Sequence, residues 1–415
     1  MNRVNELIKE YCPDGVPFQK VKDIYTRVKG TSITAGKMKE IACDDGEIRI
    51  FAGGKTIIDA HEKDIPKANI TRVPAVLVQS RGVIDVVYYD KPFTFKNEMW
   101  AYTSEDIVSV KFLYYVLKNS IQTFRDAASG MGSLPQISLK VTEEFMLPVP
   151  PLEVQREIVH ILDSFTLLTA ELTAELTARK KQYEYYRDNI LTFDTTIKHV
   201  RLGDICSVIT KGTTPKSYTK TGVSFVKTEA FDGSKIIPNK LSYVDEETHT
   251  TFLRRSMLEE NDILITIAGA TIGKCAIVPK EILPANTNQA LAIIRLAKGN
   301  CPKYVMYLLQ SDLMKRYMQK NIKGSAQPNL NLKQLNDFFI PLPPLNVQER
   351  LVRVLDNFEA ICTDLNIGLP AEIEARQKQY EYYRDLLLTF AEKGSTVLTD
   401  RQTDRQTDRQ TDRQT

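Results

Sequence analysis

Two glycine- and lysine-containing segments are the first candidates for chemistry in this 415-residue chain, since such loops bind phosphate groups. Ala52-Gly-Gly-Lys-Thr56 lacks the glycine that a phosphate-binding loop requires five residues before Gly54, because that position is Arg49. Gly269-Ala-Thr-Ile-Gly-Lys-Cys275 has the wrong spacing and lacks the hydroxyl residue after Lys274. We interpret both segments as turns at the edges of sheets.

Other catalytic motifs are missing from the sequence. It has no Gly-x-Ser-x-Gly elbow, no His-Glu-x-x-His pair, no glycine-rich turn for S-adenosylmethionine and no acidic cluster typical of nucleases. The six cysteines form no Cys-x-x-Cys pair, so we expect reduced thiols, no metal site and a cytoplasmic location. The chain is therefore predicted to bind and organise other molecules rather than to catalyse a reaction.

The sequence contains a long repeat, which indicates the domains and helices that must position any functional residues. Three segments recur 193–197 residues later: Leu147-Pro-Val-Pro-Pro-Leu-Glu-Val-Gln155 as Ile340-Pro-Leu-Pro-Pro-Leu-Asn-Val-Gln348, Ile161-Leu-Asp-Ser-Phe165 as Val354-Leu-Asp-Asn-Phe358, and Lys181-Gln-Tyr-Glu-Tyr-Tyr-Arg-Asp188 as Lys378-Gln-Tyr-Glu-Tyr-Tyr-Arg-Asp385. The period exceeds the roughly 20–50 residues of solenoid repeats. It predicts two similar domains, each followed by a similar helix.

The predicted fold class is α+β, with two similar domains separated by two long helical regions. β-Branched runs, glycine and asparagine turns and one or two helices alternate in each domain, which favours a substantial sheet. The predicted segments are residues 1–146 and 194–339 for the domains, 147–193 and 340–393 for the helical regions, and 394–415 for the tail.

The helical regions are predicted to form a rigid spacer. The prolines of Pro148-Val-Pro-Pro151 delay the helix, and nothing then breaks it before Phe193, a length of roughly 60 Å. Apolar residues recur along it at steps of three and four, typical of a coiled coil. Ile367-Gly-Leu-Pro370 should interrupt the second helix. We predict antiparallel coiled-coil packing of the two regions, with the domains at opposite ends and related by a pseudo-twofold axis.

A short repeat lies inside the first helical region. Residues 169–176 are Thr-Ala-Glu-Leu written twice, and Thr177-Ala178 begins a third copy. Each copy adds about one helical turn, or roughly 6 Å of length. The copy number therefore sets the length of the predicted spacer.

This order of domain, proline motif, long helix and repetition resembles the specificity subunit of type I restriction–modification systems, over residues 12–393. The resemblance implies that each domain is a target-recognition domain for one half of a split, asymmetric double-stranded DNA sequence. It also implies that the helices dock two methyltransferase subunits, which restriction subunits can join. S-adenosylmethionine, ATP and Mg²⁺ would then belong to those partners, and this chain would hold no cofactor. The Thr-Ala-Glu-Leu copies resemble spacer repeats that tune the gap between half-sites.

Within this resemblance, basic, hydroxyl and aromatic side chains beside turns are the candidate DNA contacts. They are Lys37, Lys55, Thr56 and Arg81 in the first domain, and Lys211, Thr213, Lys216, Tyr218, Lys227 and Lys274 in the second. On the helices, four residues face away from the predicted seam and are candidate contacts for the methyltransferase: Tyr185, Arg187, Tyr382 and Arg384. Tyr183, Tyr186, Tyr380 and Tyr383 lie on the seam and are predicted to be helix core.

The charge distribution supports a polyanionic partner for the second domain. Residues 194–339 carry 20 basic and 13 acidic side chains, whereas residues 1–146 carry 20 and 19. Three other functions remain open: a stand-alone DNA-binding regulator, a fused methyltransferase and a coiled-coil scaffold unconnected with DNA. Tight sequence-specific gel shifts by the isolated chain would favour the regulator, and methyl transfer by it would favour the enzyme.

The tail suggests variation at the level of the gene. Residues 399–415 are Thr-Asp-Arg-Gln four times plus a final threonine, a polar sequence expected to be disordered. An ACAG tetranucleotide tract encodes this peptide in all three frames, so gain or loss of one unit changes only the residues encoded downstream of the tract. We hypothesise a slippage-prone tract that causes phase variation. Sequencing many colonies of one culture should reveal several tract lengths, and a single length throughout would remove the hypothesis.

Overall fold

The computed structural model describes residues 2–54, 56–129, 134–194, 196–269, 271–322, 329–363 and 368–390. The chain divides into two compact units, Met1–Glu171 with Ala375–Thr415, and Leu172–Glu374. The predicted contact Lys55 and the predicted tail at 394–415 lie outside the described residues. None of the helices in the described ranges combines the length and apolarity that a membrane span requires.

The first unit mixes short strands with helices. Its elements are α1 (Asn2–Tyr11), β1 (Phe18–Lys20), α2 (Val21–Ile24), β2 (Thr26–Val28), α3 (Ala35–Ile41), β3 (Ile48–Phe51), β4 (Ile57–Ala60), β5 (Ala75–Gln79), β6 (Asp85–Tyr89), β7 (Phe93–Phe95), β8 (Trp100–Thr103), α4 (Ile107–Asn119), α5 (Ile121–Asp126), α6 (Leu139–Glu143), β9 (Met146–Pro148) and the first part of α7 (Leu152–Ile190).

The second unit has a comparable succession of elements. They are β10 (His199–Arg201), β11 (Cys206–Lys211), β12 (Val223–Val226), β13 (Phe231–Asp232), β14 (Lys235–Ile236), β15 (Ser242–Val244), α8 (Glu246–Thr250), β16 (Ile263–Thr266), β17 (Cys275–Ile277), β18 (Ala285–Thr287), β19 (Leu291–Leu296), α9 (Pro302–Gln310), α10 (Asp312–Asn321), α11 (Leu332–Asn336), β20 (Phe339–Pro341), α12 (Leu345–Thr363) and the start of α13 (Leu369–Leu388).

The sheets of the two units have corresponding strand orders. The first unit has an antiparallel sheet β2-β8-β5-β6, a sheet β4-β3-β7 in which β3 and β7 are parallel, and the pair β1-β9. The second has β11-β19-β16-β17, then β15-β12-β18 with β12 and β18 parallel, and the pair β10-β20. The prediction of two domains that mix helices with sheets is confirmed.

The core of each unit forms where a helix covers the longer sheet. β5 is buried along its whole length, as its run of alanine, valine and leucine requires. Asp106 begins α4 by accepting a hydrogen bond from the Val108 amide at 2.7 Å, and α4 then packs on β5 and β6. In the second unit, Pro302 occupies the first turn of α9, which packs on β17.

The repeated proline motif has the same structure in both units. α7 and α12 begin directly after the prolines, because proline rings exclude the preceding residues from a helix. The side-chain amide of Gln155 donates to the carbonyl oxygen of Pro150 at 2.8 Å, and Gln348 donates to Pro343 at the same distance. Both glutamines are buried, so this bond satisfies a carbonyl that water does not reach. The bond explains why glutamine recurs at this position of the motif.

The long helices are continuous where the sequence predicts it. α7 runs without a break for 39 residues through both Thr-Ala-Glu-Leu copies, and ends at Ile190 rather than Phe193. Gly368 precedes α13 with a φ of +100°, and a Cβ there would lie 2.9 Å from the Ile361 carbonyl oxygen. Glycine is thus required at this position. Residues 364–367, which include Ile367 of the predicted interruption, lie outside the described residues.

Aromatic rings join the helices within each unit. In the first unit Phe165 stacks on Tyr383 with 5.5 Å between ring centroids, and in the second unit Tyr186 stacks on Phe358 at 5.9 Å. Tyr380 and Tyr383 pack against the first unit's core, and Tyr183 packs against the second, as predicted. Tyr186 differs from the prediction, because its side chain is 40% exposed although its ring is stacked.

Candidate nucleic-acid interface

In the first unit, the turns that follow β3, β5 and β7 meet at one end of the sheets. The Lys96 amide donates to the Phe51 carbonyl at 3.0 Å, and the Gly54 amide donates to the Arg81 carbonyl at 3.3 Å. The segment before α6 joins them, since the Ile137 amide donates to the Ser80 carbonyl at 3.0 Å. The prediction that Ala52–Thr56 is a turn is confirmed, because the Ala52 amide donates to the Thr56 carbonyl. We call this end of the first unit the first loop edge.

A charged pair stabilises the first loop edge. The Glu98 carboxylate accepts a hydrogen bond from the Gly53 amide at 3.2 Å and lies 3.1 Å from the Lys96 ammonium. Sequence reasoning missed Lys96 as a candidate contact. The only sequence signal was its position directly after the apolar run Phe93-Thr-Phe95, where a strand should end and a turn begin.

The predicted contacts of the first domain are placed in two different regions. Thr56 and Arg81 are exposed on neighbouring turns of the first loop edge. Lys37 lies instead on α3, which packs on β3 and β4, and its ammonium pairs with Glu40 at 2.7 Å. The structure therefore brings together Thr56 and Arg81 and associates Lys37 with a helix.

The second unit has an equivalent edge. Lys211 ends β11 and Lys274 precedes β17, so both lysines lie at the same end of the sheet β11-β19-β16-β17, on its two outer strands. Three strand spacings separate them, or roughly 14 Å. Thr213 lies two residues after Lys211, with its amide donating to the Thr287 carbonyl at 2.9 Å. Gly212 allows this approach, since a Cβ there would lie 2.1 Å from the Asn288 carbonyl oxygen. We call this end the second loop edge.

Tyr218, before β12, and Lys227, directly after β12, form a defined pair. The Lys227 ammonium lies 3.8 Å from the centroid of the Tyr218 ring, a cation–π contact. The ring also meets Phe225 edge-on at 5.4 Å between centroids, yet it is 43% exposed. Lys216 is exposed in the same loop. The exposed ring fixes the position of the Lys227 ammonium, and lysine side chains meet the phosphates of duplex DNA.

The residues proposed to contact a partner protein differ in accessibility. Tyr185 is 66% exposed and Tyr382 is 50% exposed, whereas Arg384 pairs with Asp385 at 2.7 Å and is partly buried. The expectation that Arg187 faces outward is wrong, because this residue is only 5% exposed. Its guanidinium donates to Asp188, whose carboxylate also accepts the Asp312 amide at the start of α10.

Each unit fastens its sheet-covering helix to a long helix by a repeated contact. Asp163 on α7 accepts hydrogen bonds from Tyr115 at 2.7 Å and from Lys111 at 2.5 Å, both on α4. Asp356 on α12 accepts corresponding bonds at 2.6 Å from Tyr307 and Lys303 on α9. Burial, and then the carboxylate, raise the pKa of both tyrosines, which therefore remain protonated donors. We call these contacts the aspartate latches.

The two aspartates of the latches lie in a repeated segment of the sequence, Leu-Asp-Ser-Phe in the first copy and Leu-Asp-Asn-Phe in the second. Each aspartate was visible as the one polar residue that is identical in the two copies, since the residue after it changes from Ser164 to Asn357. Its partners lie 48 to 53 residues earlier in the chain, so the contact itself was not predicted.

Comparison with known proteins identifies the family. The chain belongs to the family described as Type I restriction modification DNA specificity domain, whose model matches residues 13–179 and again residues 195–375. A relative from Escherichia coli, the Type I restriction enzyme EcoR124I/EcoR124II specificity subunit, is 33% identical over 295 residues, which are 68% of this chain and 71% of that protein. The predicted resemblance and the predicted specificity function are thereby confirmed, and the stand-alone regulator is not favoured.

Two solved structures share the fold. The Type-I restriction-modification system S subunit from M. genitalium superposes with a TM-score of 0.50 at 18% identity, covering 91% of this chain and 96% of its own. A chain from a structure titled for complex assembly and conformational transition of the type I R-M system gives 0.54 at 18% identity, covering 92% and 97%.

The pair of Tyr218 and Lys227 gives a first test of the second loop edge. Tyr218→Ala should weaken binding of DNA by the assembled complex by about 2- to 30-fold, since the cation–π contact that positions Lys227 contributes about 0.5–2 kcal/mol. Tyr218→Phe should retain most of the affinity, because the ring face remains. Affinity measured by fluorescence anisotropy checks both, with Tyr11→Ala as control, because Tyr11 on α1 is 44% exposed and has no assigned role in binding. Equal affinity of Tyr218→Ala and wild type would contradict the assignment.

Proposed function

We propose that this chain is the non-catalytic DNA-recognition subunit of a type I restriction–modification complex. In this proposal each domain reads one half of a bipartite, asymmetric DNA site through its loop edge. The observation that carries it is the correspondence of the two units. They have the same strand order, and their loop edges bear exposed basic side chains, Arg81 at the first edge and Lys211 and Lys274 at the second. Two similar readers on one chain suit a target with two halves.

The predicted DNA contacts stay predictions and enter the proposal as such. At the first loop edge they are Thr56 and Arg81, to which Lys96 is added, and Lys37 is the contact from α3. Lys55, which lies outside the described residues, stays a candidate from its sequence position alone. At the second loop edge they are Lys211, Thr213, Lys216, Tyr218, Lys227 and Lys274. Lysine and arginine meet phosphates, whereas hydroxyl and arginine side chains on the turns reach base edges.

The helices are proposed to form an antiparallel coiled coil between two duplicated halves. The stacked pairs Phe165–Tyr383 and Tyr186–Phe358 support this pairing, since each joins α7 to a helix of the C-terminal region. The Thr-Ala-Glu-Leu copies lie between Phe165 and Tyr186 on α7. We propose that their number sets the distance between the half-sites.

The chemistry is proposed to reside in partner subunits. Two methyltransferase subunits would bind the helices, with Tyr185, Tyr382 and Arg384 as contacts, and restriction subunits would join them. S-adenosylmethionine, ATP and Mg²⁺ would be held by those partners in the cytoplasm. The solved structure titled for complex assembly of a type I R-M system supports this division of labour by similarity of fold.

Mapping of N6-methyladenine tests the proposal directly. Genomes of cells with and without this gene should differ by one methylated motif made of two short sequences separated by unspecified bases. The purified chain alone should transfer no methyl group, and its complex with the methyltransferase should methylate that motif. Identical methylomes, despite expression of the chain and its methyltransferase, would refute the proposal.

A further inference from the structure

We propose that Cys43, Asp45 and His61 bind a divalent transition-metal ion of the Zn²⁺ class at the base of the β3–β4 hairpin. One potential ligand atom from each of these side chains lies within 4.8 Å of the other two. A thiolate, an imidazole and a carboxylate are the three ligand types that Zn²⁺ takes from proteins. The presence of sulfur and nitrogen in the set disfavours Mg²⁺ and Ca²⁺, which prefer oxygen ligands.

The backbone brings the three residues together independently of any ion. Cys43 and Asp45 precede β3, while His61 comes directly after β4, so the ligands come from the two open ends of one hairpin. The Cys43 amide donates to the Asp59 carbonyl at 3.0 Å, which anchors the first segment to β4. Gly46 lies so close to Ala60 that a Cβ would come within 2.3 Å of its amide nitrogen. Glycine at this position is thus what allows the two segments to meet.

Glu47 orients the imidazole for coordination. Its carboxylate lies 2.8 Å from Nδ1 of His61, and its other oxygen accepts the Glu62 amide at 2.9 Å. Nδ1 therefore carries the proton, and Nε2 points toward Asp45, whose Oδ1 lies 3.6 Å away. A carboxylate on the far nitrogen of a ligating histidine is a recurrent arrangement around zinc.

Protonation of Nε2 of His61 competes with binding of a metal ion. Without an ion, His61 would be an imidazolium between Asp45 and Glu47, and the hydrogen bond to Glu47, followed by the charges of both carboxylates, raises its pKa. Burial and Asp45 likewise raise the pKa of the Cys43 thiol, which a bound cation would reverse. The nearby groups Lys63 and Asp64 carry opposite charges and act on His61 and Cys43 respectively. Metal binding and the imidazolium give different results in a titration with the metal alone.

Three protein ligands leave a fourth tetrahedral position for water. Asp45 is largely exposed, with 84% of its side chain accessible, so solvent reaches this ligand. The other end of the same hairpin is the Ala52–Thr56 turn of the first loop edge. An ion at the base would therefore hold together the two strands of the hairpin that presents this turn. The effect on DNA recognition rests on the proposed function, whereas metal binding itself does not.

Titration of the purified full chain with Co²⁺ tests the site. Wild type should bind one ion per chain and develop the near-ultraviolet absorption of a thiolate–Co²⁺ bond, and Zn²⁺ should displace it stoichiometrically. Cys43→Ser and His61→Ala should lose the absorption. The matched controls Cys301→Ser and His199→Ala should keep it, because both residues lie in the second unit. Glu47→Gln should bind about 10- to 100-fold more weakly, as found for partners of ligating histidines.

Failure of the Co²⁺ titration can be distinguished from failure of the methylation and DNA-binding experiments. An absent absorption in the wild type, or equal absorption in wild type and Cys43→Ser, overturns the metal site whatever the chain does with DNA. Circular dichroism establishes that each variant is folded. Asp45→Asn provides a further variant at an exposed position, and it too should bind Co²⁺ more weakly than the wild type.

Discussion

Deletion of one Thr-Ala-Glu-Leu copy, residues 169–172, should move methylation to sites with a shorter spacer and leave both half-site sequences unchanged. α7 is one uninterrupted helix through both copies, so the remaining residues close up without a break. The loss of four residues shortens the helix by roughly 6 Å and leaves an angular offset of about 40°. At about 3.4 Å per base pair, the accepted spacer should contract by about one or two base pairs.

A plasmid library with spacers of varied length measures this effect. Methylation of the original site should fall at least about tenfold, since a misplaced reader loses more than the roughly 1–3 kcal/mol of a single mismatched base pair. Glu171→Gln is the matched control, because it changes a side chain of the same copy and retains the helix length. An unchanged spacer in the deletion variant would refute the proposal that the copies set the spacing.

Asp163→Ala should loosen the first domain on α7, and Asp356→Ala should do the same for the second domain on α12. Each substitution removes an acceptor of a tyrosine hydroxyl and the partner of a lysine. The Tyr307 hydroxyl also donates to Glu359 at 2.9 Å, so Asp163→Ala should have the larger effect. An unsatisfied buried donor costs about 1–3 kcal/mol. We expect methylation of the native site to fall about 5- to 100-fold. The complex should also show a weaker preference for DNA sites with the native spacer over sites with a longer or shorter spacer.

A double-mutant cycle separates the latch from general destabilisation. Asp163→Ala and Tyr115→Phe should be non-additive in thermal unfolding, with a coupling free energy of about 1 kcal/mol. Asp163→Ala combined with Tyr307→Phe is the matched control, because these residues belong to different latches and should be additive. Methylation that keeps its full spacer selectivity in both alanine variants would exclude a positioning role for the latches.

The location of the candidate DNA contacts shows which features could not be predicted from the sequence. Tyr218 and Lys227 were both selected as candidates, yet nothing in their separation along the chain indicates that the ammonium lies 3.8 Å from the ring centroid. β12 and the loop before it bring them together. Lys96 was missed because the pairing of its amide with Phe51 depends on β3 and β7 being parallel neighbours. Arg187 was expected to be exposed because periodicity along α7 does not reveal that α10 begins beside it.

Local patterns in the sequence determined the helices and the two-domain organisation of this protein. Proline rings, apolar spacing and a four-residue repeat act within a few residues of one another, so α7 could be predicted from its own sequence. Only the tertiary structure decided which strands are neighbours, which turns share a loop edge and which aspartates fasten the helices. These contacts join residues that are tens of positions apart, and the free energy of burying them together depends on the whole packed domain.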